Sequence, residues 1–123
     1  MEDLHVIFDQ IRQLLKKYQP PLASKTDRDG YFDLWSFKQV VIAGRKRKEV
    51  FFAGAIIHKS YVGFYFMPVY VDAEIKEVFE PELLSMLKGK SCFYIKENDA
   101  EILRQIDQAL EMGFEIYQKN GWV

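Results

Sequence analysis

The sequence predicts an α+β fold: a two-layer sandwich with an N-terminal helix, an antiparallel sheet of about five strands, a short helix and a long C-terminal helix. Three observations lead there. Apolar residues recur at helical spacing near both ends of the chain, β-prone segments fill the middle, and two of these face each other with small residues opposite large ones.

Leu4, Ile7, Phe8, Ile11, Leu14, Leu15 and Tyr18 form one apolar stripe, with His5, Asp9, Arg12 and Lys16 on the other side. Pro20 and Pro21 end this helix, because proline cannot continue the hydrogen-bond ladder. A polar connection, ASKTDRDG, closes at Gly30. Residues 31–37 and 39–43 are β-prone and read as one bent strand or two. Residues 49–58 and 61–67 read as a hairpin turning at Lys59 and Ser60. In that register Ala53 faces Phe66, Ala55 faces Phe64, Gly54 faces Tyr65 and Ile56 faces Gly63. Small against large fills a pleated surface without voids.

Pro68 interrupts the run, and residues 72–88 suit irregular and helical turns, with Pro81 opening a helix and Gly89 stopping it. Residues 91–96 read as a further strand. Asn98 can cap the last helix, with Glu101 completing a capping box. Ile102, Leu103, Ile106, Leu110, Phe114 and Tyr117 form its apolar stripe.

The chain of 123 residues suits one domain, and its 49% apolar and 15% aromatic content provides a core without disulfide or metal. Cys92 is the sole cysteine, which excludes an intrachain disulfide and a multi-thiolate metal site. The longest nearly uncharged apolar run, residues 50–57, is far short of the roughly 20 residues that span a bilayer, so no membrane partner and a cytoplasmic location are expected. Seventeen basic against eighteen acidic residues leave a net charge of −1, which argues against nucleic acid as a partner. The run Arg45-Lys46-Arg47-Lys48 is read as a solvated connecting loop at a hairpin tip.

No motif speaks for an enzyme. There is no phosphate-binding glycine loop, no nucleophile elbow and no paired zinc ligands around His5 or His58. No catalytic residue and no cofactor are assigned. The feature that asks for more than packing is the second face of the 50–67 hairpin. Alternation places Phe52, Gly54, Ile56, His58, Tyr61, Gly63, Tyr65 and Met67 there, looking away from the helices, with glycines leaving hollows and tyrosines supplying polar rims. Either this face binds a protein partner, a second copy in self-association or a small apolar ligand, or residues 72–88 fold back and cover it.

The block YFDLWSFKQVVIAGRKRKEVFFAGAIIHKSYVGFYFMPVY, followed by LLSMLKGKSCFYIK and a final helix, resembles the YdhG-like family, a domain family of unknown function. The resemblance covers most of the chain and implies a single small α+β domain over residues 1–123. Some relatives are described as frataxin-like iron chaperones, which would make weakly bound ferrous iron a cargo. The carboxylates available for it here would be Asp27, Asp29 and Asp33 near the first strand, and Glu97, Glu101, Glu111 and Glu115 along the last helix.

Overall fold

The computed structural model describes residues 4–42, 44–71, 75 and 79–123. Helix α1, Leu4–Lys16, turns Ile7, Phe8, Ile11 and Leu15 into the core, as the stripe requires. Strands β1 (Asp27–Arg28) and β2 (Tyr31–Ser36) form a tight hairpin through Gly30, whose φ of 79° suits glycine. A small two-stranded ribbon follows, β3 (Val40–Ile42) and β4 (Arg45–Arg47). Strands β5 (Val50–Ile57) and β6 (Val62–Phe66) make the central hairpin. Short helices α2 (Pro68–Val71) and α3 (Pro81–Leu84), strands β7 (Leu87–Lys88) and β8 (Cys92–Ile95), and helix α4 (Ala100–Lys119) complete the chain.

The main sheet has six strands in the order β1-β2-β5-β6-β8-β7, all antiparallel. The count exceeds five because both edges carry two-residue strands, too short to template pairing with another chain. The central hairpin has the register that small-against-large complementarity predicts: Ala53↔Phe66, Gly54↔Tyr65, Ala55↔Phe64 and Ile56↔Gly63. Strands β2 and β5 pair down to Ser36↔Val50, so residues 37–49 leave the sheet and return at the same rung.

Helices α1 and α4 cover one face of the sheet. Phe32, Leu34, Ala53, Ala55, Phe64, Phe66 and Phe93 meet Phe8, Ile11, Ile106, Leu110 and Tyr117 in a single core. No helix among the described residues is long and apolar enough to cross a membrane.

Two local readings are corrected. Asp99, not Asn98, caps α4, accepting a hydrogen bond from the Glu101 amide at 2.8 Å; both residues are cap formers, and one position separates them. Gly89 adopts φ 74° in the β7–β8 turn instead of stopping a helix, since α3 ends at Leu84.

Arg104 ties α4 to the approach to α3 by pairing with both Glu101 and Glu80. Its hydrogen bond pulls the Glu101 carboxyl down to about 2. A depressed carboxylate stabilises the fold above its unfolded value of about 4.3, and that contribution drains away as pH falls toward about 2. Urea unfolding of Arg104→Gln at a series of acid pH values should therefore show a shallower loss of stability across this window than the parent. Added salt should shrink the difference, because the pair is exposed.

Candidate functional site on the open sheet face

The face away from the helices is a grid of two adjacent rows. Tyr31, Ile56, Gly63 and Tyr94 lie side by side across β2, β5, β6 and β8, and Asp33, Gly54, Tyr65 and Cys92 form the next row. Beyond them the alternation breaks. Leu34 pairs Ala53, but Trp35 pairs Phe51, so β5 carries one extra residue there. Such a bulge lets two consecutive side chains leave the alternating pattern.

This corrects the assignment of Phe52 to the outward face. Phe52 is 0% exposed and stands in the core against Tyr18, Phe66, Phe114 and Tyr117. Phe51 takes the outward place, half-buried, with its ring edge-on to Trp35 at 5.2 Å.

The face divides into a closed half and an open half. In the closed half His58 folds over Gly63, its Nε2 2.8 Å from the Tyr65 hydroxyl. It stacks on Tyr61 at 4.8 Å, and Tyr61 stacks on Tyr94 at 3.9 Å with planes 10° apart. A Cβ at residue 63 would sit 2.9 Å from the Tyr65 ring and 3.2 Å from His58. Gly63 is therefore no vacancy for a ligand; its neighbours' rings fill that space.

Electrostatics keep this half neutral at its oxygens and sulfur. A hydrogen bond with Tyr94, followed by burial, pushes the Tyr61 hydroxyl up to about 12. Burial, then Cys92, pushes Tyr65 up further. Burial also raises the Cys92 thiol, partly offset by its hydrogen bond with Tyr65. A thiol held protonated is a poor nucleophile.

The open half is a hollow of about 340 Å³ over Gly54, walled by Tyr31, Trp35, Phe51, Ile56 and Met67. Gly54 is needed because a Cβ would come within 3.0 Å of the Phe32 carbonyl. Trp35 lies beneath the Lys25 ammonium at 4.3 Å. Its indole N–H is buried and has no acceptor among the described residues, an unsatisfied donor. Tyr31, Asp33, Trp35, Phe51, Cys92 and Tyr94 are the members of this face that the sequence reading did not place there. The i, i+2 spacing of Tyr31 and Trp35 around Asp33 was a usable signal; the bulge that turns Phe51 outward was not.

Residues 72–74 and 76–78, part of the segment expected as a cover, lie outside the described residues. The described parts turn toward the core. Ile75, Phe79 and Leu83 are buried there, Phe79 meeting Phe66 and Phe93. The Leu83 amide donates to the buried Gln105 side chain of α4 at 3.1 Å.

The carboxylates proposed for iron are dispersed. Asp27 pairs with Arg12 at 2.7 Å on the helix side, and Asp29 lies 3.6 Å from His5 of α1. Asp33 is on the other face, 6% exposed, its Oδ1 accepting from the Lys25 and Thr26 amides at 2.8 and 2.9 Å and from the Ser24 hydroxyl at 3.2 Å. It braces the 24–26 turn. Glu97 precedes α4, so it does not share a helical face with Glu101, which Arg104 holds. Glu111 and Glu115 are exposed on α4, one turn apart. Among the described residues no group of three or more His, Cys, Asp or Glu is placed to hold a metal ion.

Comparison of the chain with protein-family models, with curated proteins and with solved structures returns no match, so the likeness to the YdhG-like family stands on the residues quoted for it.

Proposed function

We propose that this chain is a non-enzymatic binding module that seats a small ligand bearing a flat apolar ring in the hollow over Gly54. The observation carrying this reading is a largely aromatic concavity on a sheet face that the described residues leave open, its carboxylate, Asp33, being buried and held by the Lys25 and Thr26 amides. A volume of about 340 Å³ falls at the small end of ligand sites, which run from about 300 to 1,000 Å³. Scale also selects the ligand over a large partner. Four strands about 4.8 Å apart and about five residues long span roughly 15 by 17 Å, a few hundred Å². A stable protein interface takes about 800 Å² from each side. The rings of Trp35 and Phe51 offer apolar walls, and the Tyr31 hydroxyl offers orientation.

The reading is tested by titrating ¹⁵N-labelled protein with 2-naphthol. Saturable shifts centred on the amides of Gly54, Ile56 and Tyr65 are expected. Ile56→Glu, a change at a half-exposed position, should weaken binding about tenfold or more by placing a carboxylate in the apolar hollow. Diffuse, unsaturable shifts, or equal binding by the variant, would remove the hollow as the site.

A further inference from the structure

Residues 38–48 contain five of the seventeen basic residues and none of the eighteen acids. Twelve cations elsewhere face all eighteen acids, so the body of the protein is acidic and the β3–β4 ribbon is its positive pole. Lys38, Arg45, Lys46, Arg47 and Lys48 are all exposed, and none forms an ion pair among the described residues. The next acid along the chain, Glu49, is already held by Lys25 at 2.8 Å. Adjacent like charges repel, and no carboxylate among the described residues pairs with these cations.

The basic run is not a loop tip, which corrects the sequence reading. Arg45, Lys46 and Arg47 form the return strand of the ribbon, opposite Ile42, Val41 and Val40. The turn lies before them, with Gly44 at φ 79°; Ala43 is outside the described residues. A strand fixes the spacing of its charges where a loop would not. Val41, 62% exposed, shares a face with Lys46, and Phe37 at the base is 50% exposed. A hollow of about 400 Å³ runs along Val41, Lys46 and Lys48.

We infer that this ribbon binds the phosphate backbone of double-stranded DNA. A two-stranded β-ribbon fits the major groove, which is about 12 Å wide. Side chains alternate along a strand, so Arg45 and Arg47 project from one face of the ribbon about 7 Å apart and Lys46 from the other, and a groove carries phosphates along both of its walls. An acidic peptide strand laid against the ribbon would meet one face only and leave the cations of the other face unpaired. The net charge of −1 does not oppose this, because beyond about 8–10 Å the acidic body is screened and the local cations set the field. Contact is confined to the ribbon, where these unpaired cations are, and phosphate contacts make binding independent of sequence. The ribbon uses none of the residues that wall the Gly54 hollow, so this inference stands apart from the ligand reading.

The experiment is fluorescence anisotropy of a short labelled DNA duplex with the whole chain. Four neutralised phosphates should make affinity fall about a hundredfold between about 50 and 200 mM salt. The Arg45→Gln/Arg47→Gln double variant, with an unchanged circular dichroism spectrum, should bind more weakly to every duplex and lose about two from the log–log salt slope. Absence of binding at about 50 mM salt, or an unchanged slope in the variant, would overturn the inference. So would displacement of the duplex by polyglutamate at equal charge, which would assign the ribbon to an acidic protein partner.

Discussion

Phe52→Ala is expected to cost about 3–5 kcal/mol, the usual range for truncating a large buried aromatic. Phe52 is 0% exposed and touches four rings: Tyr117 at 5.1 Å, and Tyr18, Phe66 and Phe114 each at 6.1 Å. Those rings come from β6, from α4 and from the segment after α1, so the cavity would open where both layers meet. Urea unfolding measures the loss directly, and the melting temperature should fall by roughly 3–5 °C for each kcal/mol. The neighbouring change Phe51→Ala is the control. Phe51 is half-buried on the opposite face, so its truncation should cost about 1 kcal/mol or less while weakening 2-naphthol binding. If Phe51 proved the costlier of the two, the bulge would be misplaced and Phe52 would belong to the outward face after all.

Tyr117→Phe is expected to lose about 1–3 kcal/mol although it removes a single oxygen. The Tyr117 hydroxyl donates to the Phe51 carbonyl, and the Phe52 carbonyl is taken by the Met67 amide at 2.9 Å. The bulge breaks the regular ladder at these residues, and α4 reaches across the core to supply the donor that Phe51 would otherwise lack. Without the hydroxyl a buried acceptor is left bare. Burial holds the Tyr117 hydroxyl above its ordinary range. The unfolded chain therefore ionises first, above about pH 10, and stability falls as pH rises through that region. Denaturation curves at pH 8 and above about pH 10 should show this alkaline loss in the parent and a smaller one in the variant. Equal slopes would mean the hydroxyl is not held as described.

Local complementarity made part of the fold legible in the sequence. The pairing of Ala53, Gly54, Ala55 and Ile56 with Phe66, Tyr65, Phe64 and Gly63 could be read because a pleated surface filled by alternating volumes admits few registers. The helix stripes were legible for the same reason. The misplacement of Phe52 came from extending strict alternation through a bulge, which depends on where Trp35 pairs, a long-range fact that composition does not carry. Gly63 looked like a hollow because His58 and Tyr65 were read as neighbours along strands; in space their rings close over it. Asp33 looked like a metal ligand because its partners, the backbone amides of Lys25 and Thr26, have no sequence signature. The basic run looked like a loop because the ribbon's hydrogen bonds are made outside the main sheet, where no hydrophobic alternation announces a strand.

Because β2 and β5 meet again at Ser36↔Val50, the sheet is already closed beneath the ribbon, and the excursion between them carries no rung of the main ladder. The chain therefore holds two surfaces with separate histories open to them. Residues 44–48, beyond the Val40 and Ile42 side chains that pack against the core, can be lengthened, shortened or exchanged by inheritance without breaking a rung beneath the Gly54 hollow, whereas a single insertion within β5 would invert which residues that hollow sees. One surface is free to diversify, and the other is bound to the register of the fold.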